Sequence, residues 1–345
     1  MSNLKSREIR LKSRPASRPA GMPHEGNFEL VQNEVAPPGP GEVLVRNIWM
    51  SVDPYMRGRM TDTPSYIAPF KLGETLEAEA IGRIIKSNTP ELQPGDFVGS
   101  MLGFRELFSA PPSALEKIEP AEGVPIQAYL GPLGRAGLTA YVGLIKIGEM
   151  KPGETVFVSG AAGAVGSIAC QIAKIHGCTV IGSAGSERKC AWLTEVGGID
   201  RAINYKTVQD LTKAVRQAAP DGIDVYFENV GGAHLIAALA NMNVKGRLAI
   251  CGMISRYNGV TSDTPVPNII MVLRKSLKMQ GFLVGESWDL LPQFRTQMVA
   301  WARAGKMRWT ETVVEGLENA PGAFLGLFSG ENLGKMLVKI GPDDA

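Results

Sequence analysis

The residues of this chain best suited to chemistry are a run of small ones, Gly160-Ala161-Ala162-Gly163-Ala164-Val165-Gly166. Small residues let a backbone approach a pyrophosphate, and a helix that starts there offers free N–H groups and partial positive charge. The spacing Ala161-x-Gly163-x-x-Gly166 departs from a dinucleotide fingerprint only in the alanine at its first position. Such a pattern acquires meaning from what flanks it. Here a β-rich apolar run, 155–159, leads in, and Val165, Ile168, Ala169, Ile172, Ala173 and His176 recur at helical spacing. Gly177 suits a helix stop, and Cys178-Thr179-Val180-Ile181 reads as the next strand. This strand–loop–helix–strand unit predicts a bound dinucleotide, with Gly163, Ala164, Val165 and Gly166 at its pyrophosphate.

The end of the second strand decides which dinucleotide. NAD-specific sheets place an acid there, on the ribose 2′-hydroxyl. This chain has Gly182-Ser183-Ala184-Gly185, with no carboxylate at the turn; Glu187 comes later, within Ser186-Glu187-Arg188-Lys189. Small residues followed by Ser, Arg and Lys suit a 2′-phosphate. NADP(H) is therefore expected, with Lys189 on the phosphate and Tyr205, at the end of the third strand, within reach of it.

These residues need a frame. Strand patterns fall at 155–159, 178–183, 202–205, 223–228, 247–251 and 278–284, with helical patterns between them, as at 208–218 and 233–241. The alternation predicts an α/β fold with a doubly wound, six-stranded parallel sheet, a Rossmann arrangement. The carboxyl ends of its strands would bring Ser159, Ser183, Tyr205, Glu228-Asn229, Cys251-Gly252 and 282–284 to one crevice. The earlier part of the chain reads differently. Short β-type runs such as 43–48 and 80–85 alternate with Pro-Gly turns at Pro38-Gly39-Pro40-Gly41 and Pro94-Gly95-Asp96. A small, partly open β-barrel is expected there. Trp288, Leu291, Phe294, Met298 and Trp301 mark an amphipathic helix that packs, and strand-like 336–340 is expected to rejoin the first domain.

Bulk properties narrow the partners. The 345 residues allow two domains, and 44% hydrophobic with 20% charged residues is a globular balance. A formal net charge of +2 gives no electrostatic case for nucleic acid or an anionic membrane. Lys5, Arg7, Arg10, Lys12, Arg14 and Arg18 read as a solvated lead-in with a few salt bridges. No apolar run approaches the ~18 residues of a membrane span, and no secretory signal opens the chain. Cys170, Cys178, Cys190 and Cys251 form no CxxC pair, which suits a reducing cytoplasm. His24, His176 and His234 stand singly, away from metal-ligand spacing.

Several motifs in order give the chain a resemblance. They are Ser51-Val52-Asp53-Pro54-Tyr55-Met56-Arg57-Gly58-Arg59-Met60, Gly137-Leu138-Thr139-Ala140-Tyr141, the glycine loop, Phe227-Glu228-Asn229-Val230-Gly231-Gly232, Cys251-Gly252-Met253-Ile254-Ser255-Arg256-Tyr257-Asn258, Gln280-Gly281-Phe282 and Asn332-Leu333-Gly334-Lys335. Over nearly its whole length the chain resembles the zinc-independent branch of the medium-chain dehydrogenase/reductases, in the prostaglandin reductase / leukotriene hydroxydehydrogenase group of the bacterial curcumin reductase type.

The resemblance implies a GroES-like catalytic domain over 1–131 and 303–345 and an NADP-binding Rossmann domain over 132–302. It implies Asn229 near the ribose and pyrophosphate, and a cofactor wall running from Cys251 through Gly252 and Ser255 to Tyr257. Phe282, Leu283 and Val284 would flank the nicotinamide, and Asn332 would reach the cofactor from the C-terminal segment. Tyr55 and Tyr257 would face the substrate. A cytoplasmic homodimer is also implied, with 278–284 as an edge strand a second subunit could cover.

The family usually has methionine where this chain has Arg135; the arginine either attracts a polar or carboxylated substrate or points into solvent. Zinc-dependent relatives need a cysteine near Ser51, a Gly-His-Glu motif and a four-cysteine lobe, all missing here. Without a Lewis acid, reduction of an activated C=C bond is the expected reaction. Hydride would go to the β-carbon of an α,β-unsaturated ketone or aldehyde, with the Tyr257 hydroxyl and the cofactor's ribose hydroxyl facing the enolate oxygen. Quinone reduction by NADPH and a non-catalytic NADPH-binding role are the alternatives.

Overall fold

Valine- and isoleucine-rich runs separated by glycine turns build two large sheets beside a smaller two-stranded one, and the parallel sheet positions the glycine loop. In the computed structural model, which describes residues 4–15, 21–259 and 265–342, this sheet has six strands. Thr155–Val158 lies at its centre. Thr179–Ala184 and then Arg201–Asn204 extend one side, and Ile223–Glu228, Met242–Ile250 and Lys278–Gly281 extend the other. The order of building reverses between Thr155–Val158 and Ile223–Glu228, the switch point where such sheets open a crevice for ligands. Val156, Phe157 and Val158 are fully buried, as are Val225, Tyr226 and Phe227, because helices cover both faces.

The second sheet has seven strands, drawn from both ends of the chain. Val43–Ser51 is its hub, paired antiparallel with Ala80–Ser87, Leu107–Ala110 and the C-terminal Lys335–Lys339. The path of paired strands runs from Glu311–Glu315 to Glu116–Ile118 without closing on itself, so the barrel is partly open. Among the described residues no helix is long and apolar enough to cross a membrane.

Four expectations shift. The basic N-terminal stretch is a folded strand, Leu4–Leu11, paired antiparallel with Phe28–Val35. Ile9 and Leu11 are buried in the core, and the interleaved charges find partners: Arg7 with Glu106 at 2.7 Å, Arg10 with Glu8 at 2.7 Å, Arg14 with Asp62 at 2.6 Å. Arg18 lies outside the described residues. The helix expected from 208 begins at Leu211, because the Asp210 carboxylate accepts the Lys213 N–H at 3.0 Å and caps it there. The last parallel strand ends at Gly281, opposite Ile250, where its only neighbour also ends. Residues 282–284 therefore leave the sheet. Finally, Pro292 starts the helix Leu291–Arg303 one turn late, after a kink at Ser287. Leu291, Phe294, Met298 and Trp301 pack inward as expected, whereas Trp288 stays outside the helix and 37% exposed.

Candidate active site

The glycine loop joins Thr155–Val158 to the helix Ala164–Ile175, whose N-cap is Gly163. Gly166 is held to glycine by its surroundings: a Cβ there would lie 2.3 Å from the Gly160 carbonyl oxygen and 2.8 Å from Ala161 Cα. The alanine at the fingerprint's first position has a physical explanation. A Cβ on Gly182 would sit 2.8 Å from the Ala161 methyl, so the neighbouring strand leaves the room that Ala161 fills. The C-terminal segment closes on this loop. Gly334 N–H donates to the Ala162 carbonyl at 2.8 Å, and Asn332 Nδ2 donates to the Gly334 carbonyl at 2.8 Å.

The end of Thr179–Ala184 opens into a cationic corner. Ser186 caps the next helix by accepting the Lys189 N–H. Lys189 Nζ donates to the Gly330 carbonyl at 2.8 Å, and its pKa is lowered by burial and by the neighbouring charges of Lys206 and Arg188. The Tyr205 hydroxyl hangs over Gly185, 2.8 Å from where a Cβ would be, with Lys206 Cε at 3.2 Å. Glu187 is turned aside, accepting from Asn204 Nδ2 at 2.6 Å. Three cations, a phenol and a missing side chain suit a 2′-phosphate. Beneath Tyr205 lies the His234 ring, edge-on at 4.9 Å; burial pushes its pKa down to about 4.

A buried carboxylate organises the turn after Ile223–Glu228. Glu228 Oε1 accepts from Ser159 Oγ at 2.8 Å, Val230 N–H at 2.7 Å and Gly231 N–H at 2.8 Å. Asn229 donates through its backbone N–H to Ser159 Oγ at 2.9 Å and through Nδ2 to the Ser159 carbonyl at 2.7 Å. Cys251 and Gly252 N–H both donate to the Glu228 carbonyl, and Ser255 Oγ donates to the Val230 carbonyl at 2.5 Å. The three strand ends are thus tied together by the chain itself. Cys251, Gly252, Phe282, Leu283 and Glu286 line a recess of about 370 Å³ beside them. Phe282 packs edge-on to Phe227 at 6.4 Å, while Leu283 and Val284 lie past the strand's end. A larger recess of about 500 Å³, near Glu122, Arg303, Met307 and Trp309, holds none of the candidate residues.

The opposite wall comes from the β-rich sheet. Lys335 Nζ, almost fully buried, pairs with Asp53 at 3.1 Å and donates to the Val52 carbonyl at 3.0 Å, which fixes the turn leading to Tyr55. The Tyr55 hydroxyl is buried without a hydrogen-bond partner among the described residues, and burial raises its pKa, helped by Asp53 and Glu79. Arg57 Nε donates to Asn258 Oδ1 at 3.1 Å, so the loop carrying Tyr55 meets the loop carrying Tyr257. The Tyr257 hydroxyl lies 2.9 Å from where a Gly252 Cβ would be, and burial, with Cys251 and Tyr66, pushes its pKa up to about 12. The Cys251 thiol is likewise pushed up to about 12, by burial and then Glu228, which keeps it un-ionised and inert.

The sequence reading missed Lys206, Tyr66, Glu79 and Trp288. Lys206 continues the Arg188-Lys189 charge and was legible as the residue after Tyr205; Tyr66 and Glu79 have no local pattern, and the helical spacing of Trp288 pointed to packing. Among the described residues, no three His, Cys, Asp or Glu side chains are grouped to hold a metal. The glycine cradle, the cationic corner and Ser183 Oγ, buried without a partner at its strand's end, do fit a phosphorylated dinucleotide.

Comparison with known proteins bears on the same regions. Residues 7–118 match a family described as the N-terminal domain of oxidoreductase, and residues 164–303 one described as zinc-binding dehydrogenase. The NADP(+)-dependent 2-alkenal reductase of Nicotiana tabacum is 42% identical over 93% of this chain and 94% of its own. Prostaglandin reductase 1 of Mus musculus is 42% identical over 92% of this chain and 95% of its own. The crystal structure of CurA from Vibrio vulnificus in complex with NADPH superposes with a TM-score of 0.90 at 37% identity, over 97% of this chain and 99% of that one.

Proposed function

The chain belongs to the NADP-dependent medium-chain dehydrogenase/reductase group of the prostaglandin and curcumin reductases, and from that premise we propose that it reduces the C=C bond of an α,β-unsaturated ketone or aldehyde at the β-carbon. The observation that carries this reading is the Tyr257 hydroxyl, kept protonated over Gly252 at the strand ends, on a loop that the Arg57–Asn258 hydrogen bond joins to the loop of Tyr55. Bound NADPH supplies the hydride. As the β-carbon accepts it, negative charge grows on the substrate's carbonyl oxygen, and a preplaced O–H donor lowers that barrier. With its pKa near 12, Tyr257 serves as a hydrogen-bond donor at neutral pH. Tyr55 shapes the other side.

In this reading Gly163, Ala164, Val165 and Gly166 cradle the pyrophosphate. Lys189 and Tyr205, with Lys206, hold the 2′-phosphate. Asn229, Cys251, Gly252, Ser255 and Asn332 line the nucleotide, and Phe282, Leu283 and Val284 flank the nicotinamide. The catalytic domain spans 1–131 and 303–345, and the nucleotide domain 132–302. Among the described residues the strand Lys278–Gly281 has a neighbour on one side only, and that free edge supports a homodimer across it; a monomer mass by light scattering would reject that. Four unpaired cysteines support a cytoplasmic setting.

The test is NADPH deuterated at the transferring C4 position. The label is expected at the β-carbon of a saturated ketone or aldehyde. Deuterium on the carbonyl carbon of an allylic alcohol would reject the proposal.

A further inference from the structure

We propose that Arg135, balanced by Glu79, sets substrate specificity in this cleft by selecting enones that carry a neutral hydrogen-bond acceptor away from the reacting double bond. The inference rests on the reaction proposed above.

Arg135 opens the helix Arg135–Val142 and does not extend freely into solvent. Its Nε donates to Glu79 Oε1 at 2.8 Å, and its guanidinium lies 5.0 Å from the centre of the Trp288 ring. Two fixed contacts on a planar group set its orientation before any substrate arrives. The side chain keeps 35% of its surface exposed, against 15% for Glu79, so the arginine is the more accessible member of the pair. Tyr55, whose hydroxyl is buried and unpartnered, feels its charge, and so does Tyr66. Trp288, against which the guanidinium lies, belongs to Val284–Leu290, the segment whose Glu286 lines the recess beside Cys251 and Gly252, so Arg135 stands at the edge of that recess.

The charges nearby cancel in pairs. Glu79 takes Arg135, Asp53 takes Lys335 at 3.1 Å, and Glu77 takes Arg59 at 2.6 Å. Among these three pairs a carboxylated substrate would find no uncompensated cation, and it would approach Glu79, a like charge. What Arg135 offers is a set of oriented N–H donors beyond Nε, which favour a carbonyl or ester oxygen over an alkyl tail without favouring an anion.

The experiment compares three enones with the same reacting end and tails of equal length, ending in an alkyl group, a methyl ester or a carboxylate. The readout is kcat/KM with NADPH, and NADPH affinity is measured by fluorescence for every variant. In the natural protein the ester should exceed the alkyl compound on the order of 10-fold, the range of one hydrogen bond to a charged donor, and the carboxylate should not exceed the ester. Arg135→Met should bring the ester-to-alkyl ratio near one, a ratio from which any general loss of activity cancels. Glu79→Gln keeps an acceptor for Nε but removes the charge, and should raise the carboxylate-to-ester ratio on the order of 10-fold. A ratio near one in the natural protein, or one unchanged in Arg135→Met, overturns the assignment. An unchanged carboxylate ratio in Glu79→Gln overturns the charge balance, and that variant decides even if Arg135→Met fails to fold. No turnover of any of the three with NADPH bound would instead overturn the reaction itself.

Discussion

The two walls of the cleft are made from different materials. On the nucleotide side the main chain does the work. Gly160 and Gly166 pack against each other, the Glu228 carboxylate collects two backbone N–H groups, and the Gly334 N–H ties the C-terminal segment to the loop. On the proposed substrate side the wall is side chain: Tyr55, Arg135 and Trp288 come from three separate segments, and the Tyr55 hydroxyl has no partner among the described residues. A backbone site accepts one shape and resists change. A side-chain site can alter its preference while the fold stays as it is. The comparison therefore predicts that mutation on the nucleotide side abolishes binding, and on the substrate side grades activity.

The hardest test of that contrast is Gly166→Ala. Its methyl would meet backbone at 2.3 Å, and neither the Gly160 carbonyl nor Ala161 can rotate away. Overpacking of this kind costs about 1–3 kcal/mol, and the displaced loop should lose NADPH by about 100-fold, some 2.7 kcal/mol, in a fluorescence titration. Near-normal affinity would show that the loop bends, and the contrast would fail.

Acid probes the same side from beneath. The unfolded His234 imidazole protonates near the ordinary value of 6.5, the folded one only near 4. Between those values the unfolded chain binds more protons, so stability is complete above about pH 6.5 and lost as pH falls toward 4. The full difference is about 3 kcal/mol, read as a fall in unfolding free energy over that range that His234→Phe abolishes. A His234→Phe variant with the same acid sensitivity would place the titrating group elsewhere.

The same contrast explains what could be read in advance. Gly163 and Gly166 were legible because a backbone requirement is written locally, as glycine at fixed spacing before a helical pattern. The six parallel strands were legible for a related reason, since buried strands appear as apolar runs between turns. Leu4–Leu11 was not, because Arg7 occupies the face that Ile9 and Leu11 carry inward and breaks the alternation, and its ion pair with Glu106 belongs to the tertiary structure. Trp288 fits the helical spacing of Leu291 and Phe294 yet lies between the kink at Ser287 and the start of the helix at Leu291, so periodicity placed it in the core and the backbone placed it against Arg135. Glu79 and Tyr66 carried no signal at all; they matter only because two sheets meet.

Lys189 tests whether the cationic corner recognises the 2′-phosphate alone. Lys189→Ala removes a charge-assisted contact worth about 1.5–3 kcal/mol. NADPH should weaken by roughly 10- to 100-fold, whereas NADH, which lacks the phosphate, should hardly change. The measurement is kcat/KM for the two nucleotides at constant ionic strength. Because Lys189 Nζ also holds the Gly330 carbonyl at 2.8 Å, an equal loss for both nucleotides would mean that it serves the C-terminal segment and not the phosphate.

The smallest effect belongs to the other wall and bears on its graded character. Tyr257→Phe removes the donor proposed for the developing enolate and leaves the ring in place over Gly252. Where one such donor acts alone, its loss costs on the order of 100-fold or more in turnover. Here the ribose hydroxyl of the bound nucleotide shares the oxygen, so about 10-fold in kcat is expected, equivalent to about 1.4 kcal/mol. NADPH affinity and melting temperature should stay unchanged, because the nucleotide wall is held by Glu228 and the backbone and not by this hydroxyl. A drop in NADPH affinity equal to the drop in kcat would make Tyr257 part of the nucleotide wall. No drop in either would remove it from the chemistry and leave the enolate to the ribose hydroxyl, with Tyr257 and Tyr55 as walls that only shape the space.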